Sequence, residues 1–78
     1  MEYIKFYRAQ DYDEMVWQLA IDRELWARAA NLAKHHQITR VQLRAHPDQE
    51  SLLQWLMTFD GMGVKSAVAI VQWVEANP

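Results

Sequence analysis

The sequence predicts an α+β domain in the order strand, long helix, strand and C-terminal helical hairpin, with the hairpin packed on a small sheet. Three observations lead there. Residues 2–8 and 38–44 alternate in side-chain character, residues 14–33 contain neither Gly nor Pro, and both glycines of the chain, Gly61 and Gly63, stand in a tail that otherwise favours helix. With 78 residues the chain makes one domain, 1–78, with a thin core.

Each element has its own warrant. Over residues 2–8, Ile4 and Phe6 fall on one side and Tyr3, Lys5 and Tyr7 on the other, in aromatic and β-branched company that favours a strand. Asp11 or Asp13 then caps a helix running to about His35, whose stripe is Trp17, Ile21, Leu25, Ala29 and Leu32. Met15, Trp17, Leu19 and Ile21 also alternate, which leaves open a β-hairpin over 15–33. Residues 38–44 set Thr39, Val41 and Leu43 opposite Ile38, Arg40, Gln42 and Arg44, the pattern of a second strand.

A helical hairpin follows over 48–76. Pro47 suits a first helical position, Asp48 and Glu50 complement the dipole, and Leu52, Leu53, Trp55, Leu56 and Phe59 supply the apolar side as far as Asp60. Residues 64–76 are apolar nearly all round, so the last helix belongs at the centre of the core or under a partner. No repeat, linker or low-complexity tract interrupts the chain.

Composition excludes several classes. Apolar residues at 51% and charged residues at 23% are far from a disordered profile, and the absence of Cys removes disulfides, thiolate zinc sites and cysteine nucleophiles. There is no membrane-length apolar run and no signal-peptide profile, so a soluble, cytoplasmic protein is expected. The net charge of −2 supplies no global attraction to nucleic acid, and any such binding must come from a local patch or backbone donors. His35, His36 and His46 lack the i, i+4 spacing of a helical metal site, and Ser51 and Ser66 lack a nucleophile's context. The expectation is a binding module with no catalytic residues, no metal and no cofactor.

The most specific local pattern is Phe59-Asp60-Gly61-Met62-Gly63-Val64-Lys65-Ser66-Ala67. Within residues 52–76 it resembles the helix-hairpin-helix signature of hydrophobic, Gly, hydrophobic, Gly, three residues and Ala. In that family the hairpin grips nucleic-acid backbone without reading sequence, which implies a nucleic-acid-binding site at Gly61, Gly63, Val64 and Lys65. The mechanics fit: glycines open backbone conformations closed to other residues, and unpaired amides at a helix start favour a phosphate oxygen. Asp60 departs from the pattern by bringing a carboxylate beside the phosphate. The structural alternative is that the two glycines only turn a helix-helix corner.

A second candidate surface is the outer face of the expected sheet. There Tyr3, Lys5, Tyr7, Arg40 and Arg44 would form a partner-binding face, aromatic and basic, suited to base stacking and phosphate pairing or to a protein interface. The partner is accordingly a nucleic acid or nucleoprotein complex, with a protein as the alternative. A thin core, free strand edges and the apolar Trp73 and Val74 also predict a homodimer.

The ends of the chain carry a second resemblance. Met1-Glu2-Tyr3-Ile4-Lys5-Phe6, and Trp55 followed by Gly61, Gly63 and a closing Asn77-Pro78, are similar to small phage-encoded anti-CRISPR proteins of the type I-F class. That likeness implies four antiparallel strands before two C-terminal helices, and an inhibitor that binds a protein subunit of a CRISPR surveillance complex and blocks its target DNA binding.

Overall fold

The computed structural model describes residues 9–78, with side chains described from Tyr12 onward. The expected strand at 2–8, with Tyr3, Lys5 and Tyr7, lies outside the described residues. Among those that are described there is no strand, which overturns both the α+β sheet and the four-stranded alternative. The elements run α1 (Ala9–Leu19), a π-helical turn (Ala20–Glu24), α2 (Ala27–His35), α3 (Arg40–Arg44), α4 (Gln49–Leu56) and α5 (Val64–Ala76). None of these helices is long and apolar enough to cross a membrane.

The expected long helix is two helices. After α1 the ladder widens, so that Leu25 N–H donates to the Ala20 carbonyl five residues back at 2.7 Å. The backbone then extends at Leu25 and Trp26, and α2 sets off in a new direction. The apolar stripe survives the break, with Trp17, Ile21 and Ala29 buried and Leu25 and Leu32 packed against the core. Asp13 is not a cap; it stands inside α1 and faces two arginines.

The second strand is replaced by α3, for a local reason. Thr39 Oγ1 accepts from the Gln42 amide at 3.2 Å while Gln42 Oε1 accepts from the Thr39 amide at 2.9 Å, a reciprocal capping box that commits residues 40–44 to helix. The helix buries Arg40 and Leu43 three residues apart, where a strand would have put them on opposite faces. The next helix starts two residues later than a Pro47 at its first position would give: Asp48 is the N-cap of α4, accepting from Ser51 N–H at 2.8 Å, and Pro47 precedes it.

The core is built around Trp17, which is 0% exposed and donates from Nε1 to the Ile38 carbonyl at 2.9 Å. Its ring lies 5.0 Å from that of Trp73, and the Arg40 guanidinium sits over the other ring of that pair, 4.9 Å from the Trp73 centroid. Arg40 is only 2% exposed. Its Nε donates to Asp13 Oδ1 at 3.3 Å, its Nη2 to the Asn77 carbonyl, and its backbone N–H to Glu14 Oε2 at 2.7 Å. Arg44 bonds Asp13 Oδ2 at 2.6 Å and the Pro78 main-chain oxygen at 3.0 Å. Helix α5 lies against both α2 and α4 with Ala67, Ile70, Val71 and Trp73 inward. Of the surfaces on which a dimer is expected, residues 38–44 offer no strand edge and Trp73 is buried, while Val74 on the same helix is half-buried.

Removing the carboxylate at the centre of this network strands a charge. Asp13→Ala should destabilise the fold by about 3 kcal/mol, the scale of a buried ion pair broken on one side. Asp22→Ala, which frees Lys34 from a 3.4 Å pair more than half exposed on both sides, should change stability by less than about 0.5 kcal/mol. Urea denaturation of the two variants measures the contrast.

Candidate functional site

The corner between α4 and α5 is assembled from tail to tip. After Leu56 the chain tightens, with Thr58 N–H bonded to the Trp55 carbonyl and Phe59 N–H to the Leu56 carbonyl, and Met62 N–H closes a turn onto the Phe59 carbonyl at 3.1 Å. Gly61 sits in that turn at φ +81°, a conformation side-chain-bearing residues enter only at a cost. Met62 then points inward, 6% exposed, and plugs the angle between the helices. Ala67, fully buried, lets α5 come close to its neighbours.

Gly63 is the N-cap of α5, extended at φ −85° and ψ 173°, and offers no side-chain cap. The first helical bond is Ala67 N–H to the Gly63 carbonyl at 3.0 Å, so the amides of Val64, Lys65 and Ser66 precede it and have no place in the α-helical ladder. A Cβ built on Gly63 would meet nothing within 4 Å. Val64 and Lys65 are exposed, and the Lys65 ammonium pairs with none of the described carboxylates. The four residues expected to act together, Gly61, Gly63, Val64 and Lys65, thus share one solvent-facing corner, with the exposed Asp60 beside them.

The corner is braced by α2. His36 Nε2–H donates to the Asp60 carbonyl at 2.8 Å; a carbonyl only accepts, so the proton is on Nε2. The same imidazole stacks on Phe59 at 4.9 Å, and Leu32 Cδ2 lies 3.4 Å from where a Gly61 Cβ would stand. Sequence reasoning placed His36 at a helix end and missed this bond.

It also missed a recurrence. Gln37, Ile38 and Thr39 repeat the backbone of Gly61, Met62 and Gly63: a positive φ (53° at Gln37), a buried plug (Ile38, 2% exposed) and an extended N-cap. The α2 end is a Schellman turn, with Ile38 N–H on the Ala33 carbonyl and Gln37 N–H on that of Lys34. The two turns differ where chemistry is concerned. Thr39 and Gln42 satisfy each other's amides, whereas no side chain caps the helix at Gly63.

Of the other expected site, Tyr3, Lys5 and Tyr7 lie outside the described residues, and Arg40 and Arg44 do not form an exposed sheet face. Arg40 is buried in the core, and Arg44 turns to Asp13 on α1, because residues 40–44 are helical and there is no described sheet to carry them. Among the described residues no three His, Asp or Glu side chains gather as metal ligands. Comparison with known proteins finds no match: no family model, no curated protein and no solved structure is similar to the chain.

The glycines should separate cleanly on substitution. Gly61→Ala, forced into the left-handed region, should cost about 1–2 kcal/mol. Gly63→Ala, in extended backbone facing open space, should stay within about 0.5 kcal/mol of the parent. Thermal or urea unfolding of the pair reads this directly.

Proposed function

We propose that the protein binds nucleic-acid backbone, holding a phosphate at the α4–α5 corner. The observation that carries the reading is the uncapped, exposed start of the 13-residue helix α5, where Gly63 leaves room and Lys65 adds a cation. A phosphate oxygen supplies the acceptors that Val64 and Lys65 amides lack, on the positive end of the helix dipole. The likeness of residues 59–67 to the helix-hairpin-helix signature supports the same chemistry. Contacts of this kind position a backbone and carry no base information, so binding should be tolerant of sequence.

Lys65→Glu should weaken binding about tenfold or more on every sequence tried, and flatten the salt dependence on duplex DNA by about one unit of slope. Gly63→Asp separates binding from folding. Its carboxylate would cap α5, stabilising the fold by roughly 0.3 kcal/mol, while occupying the amides and repelling phosphate. Asp60→Asn should strengthen binding by removing a neighbouring negative charge. Fluorescence anisotropy with single- and double-stranded DNA and RNA at low salt tests all three. No binding by the parent chain to any of these, or equal binding by Gly63→Asp, removes the proposal and leaves the glycines as a corner.

A further inference from the structure

A groove runs along the outer side of α2 and ends at the corner. It is a shallow, open depression of about 730 Å³ lined by Trp26, Arg28, Asn31, Leu32, His35 and Gly61. Residues 28, 31, 32 and 35 stand at i, i+3, i+4 and i+7, so they form one face of the helix, while Ala29, Ala30 and Ala33 form the buried one. No carboxylate lines the groove.

Trp26 is the residue that folding explains least. Of the four tryptophans, Trp17 and Trp73 are in the core and Trp55 packs against it, but Trp26 is 48% exposed. It occupies the N-cap of α2 yet makes no capping bond, so its indole is not what starts the helix. The Arg28 guanidinium lies over one face of its ring, 5.8 Å from the centroid, which gives the groove mouth an aromatic ring with a cation on one face and leaves the other face for a ligand. Asn31 adds an amide that both donates and accepts, and Gly61, at the far end, lies two residues before the α5 N-cap.

An exposed aromatic ring, a guanidinium and an amide without opposing carboxylates are the groups that hold an unpaired nucleobase, by stacking and by its hydrogen-bonding edge. In a duplex the faces of the bases are already stacked on one another, so only a single strand can offer one to Trp26. We infer that the α2 groove takes an unpaired base of the strand whose phosphate the α4–α5 corner holds, and that the preferred ligand is single-stranded nucleic acid. This inference rests on the corner reading, and its test is arranged to separate the two.

Three probes of equal length suffice: oligo(dT), the corresponding duplex, and a strand with abasic sites throughout, which keeps the phosphates and lacks the bases. The parent chain should bind oligo(dT) more tightly than the duplex and roughly tenfold more tightly than the abasic strand, the scale of one base stacked on an aromatic side chain. Trp26→Ala should lower oligo(dT) affinity to the abasic level and leave abasic binding unchanged; Trp26→Phe should restore most of the loss. Lys65→Glu should weaken binding to all three. If the abasic strand binds as tightly as oligo(dT), or Trp26→Ala changes nothing, the groove is not a base site and the corner reading stands alone. If Trp26→Ala weakens oligo(dT) and Lys65→Glu does not, the strand lies in the groove without the corner, and the joint inference falls. Binding of an acidic peptide in place of every oligonucleotide overturns both. Should Trp26→Ala lose its helical circular dichroism, Arg28→Ala with Asn31→Ala interrogates the same groove from exposed positions, and an unchanged ratio of oligo(dT) to abasic affinity in that folded variant overturns the inference.

Discussion

A guanidinium that is 2% exposed requires acceptors from whatever surrounds it, and the helices of this protein supply them to Nε and Nη2 of Arg40, while Nη1 has none among the described residues. Asp13 reaches it from α1, the Asn77 carbonyl from beyond α5, and the Trp73 ring covers one face. Glu14 binds the Arg40 backbone amide, so successive residues of α1 fix both the main chain and the side chain of one residue. Burying this charge is costly, and replacing such a network with apolar groups is often neutral or stabilising in other folds. What it supplies here is orientation: directional bonds set α1, α3 and the end of α5 relative to one another.

That geometry positions the corner. With α3 anchored through Arg40 and Leu43, Ile38 is held at the indole of Trp17, and the end of α2 is fixed just before it. His36 at that end bonds the Asp60 carbonyl, and Leu32 one turn earlier rests near Gly61. The α4–α5 turn is thus braced by the end of α2, which fixes the direction in which the first amides of α5 point.

Much of the tail was legible in the sequence. Gly61, the plug Met62 and the small Ala67 each have one mechanical use, and the structure puts each to it; Gly63 does not use a glycine's conformational freedom, since its backbone is extended and a Cβ there would meet nothing. Residues 38–44 were misread because alternation of side chains over seven residues is weak evidence, and Thr39 with Gln42 three residues on was the stronger, local signal of a helix start. The break at Leu25–Trp26 left no mark, since neither Gly nor Pro makes it; tertiary packing of Ala20, Ala29, Ala30 and Ala33 overrides a propensity that would have continued the helix. The recurrence of the turn at Gln37–Thr39 was hidden for a related reason: it is a repeat of backbone conformation, carried by different residues.

The two turns give the fold its chemical asymmetry. Each places one residue at positive φ, buries the next side chain and begins another helix from an extended residue, although only at Gln37 does the positive φ close a helix directly, α4 having ended at Leu56. Side chains separate them further. At the first turn Thr39 and Gln42 consume the donors that a ligand would need, and α3 has only five residues of aligned peptide dipoles behind it. At the second, Gly63 consumes none, and thirteen residues of α5 stand behind the open amides. Asp13 and Asp22 are held in ion pairs that also engage Arg40, Arg44 and Lys34, Asp48 caps α4 and Glu14 binds a backbone amide, while Asp60 is the acid nearest to Gly63 along the sequence. What an approaching phosphate meets first is set by Lys65 and the uncapped helix end, with Asp60 as the local opposition, because screening confines exposed charges to a range of about 8–10 Å.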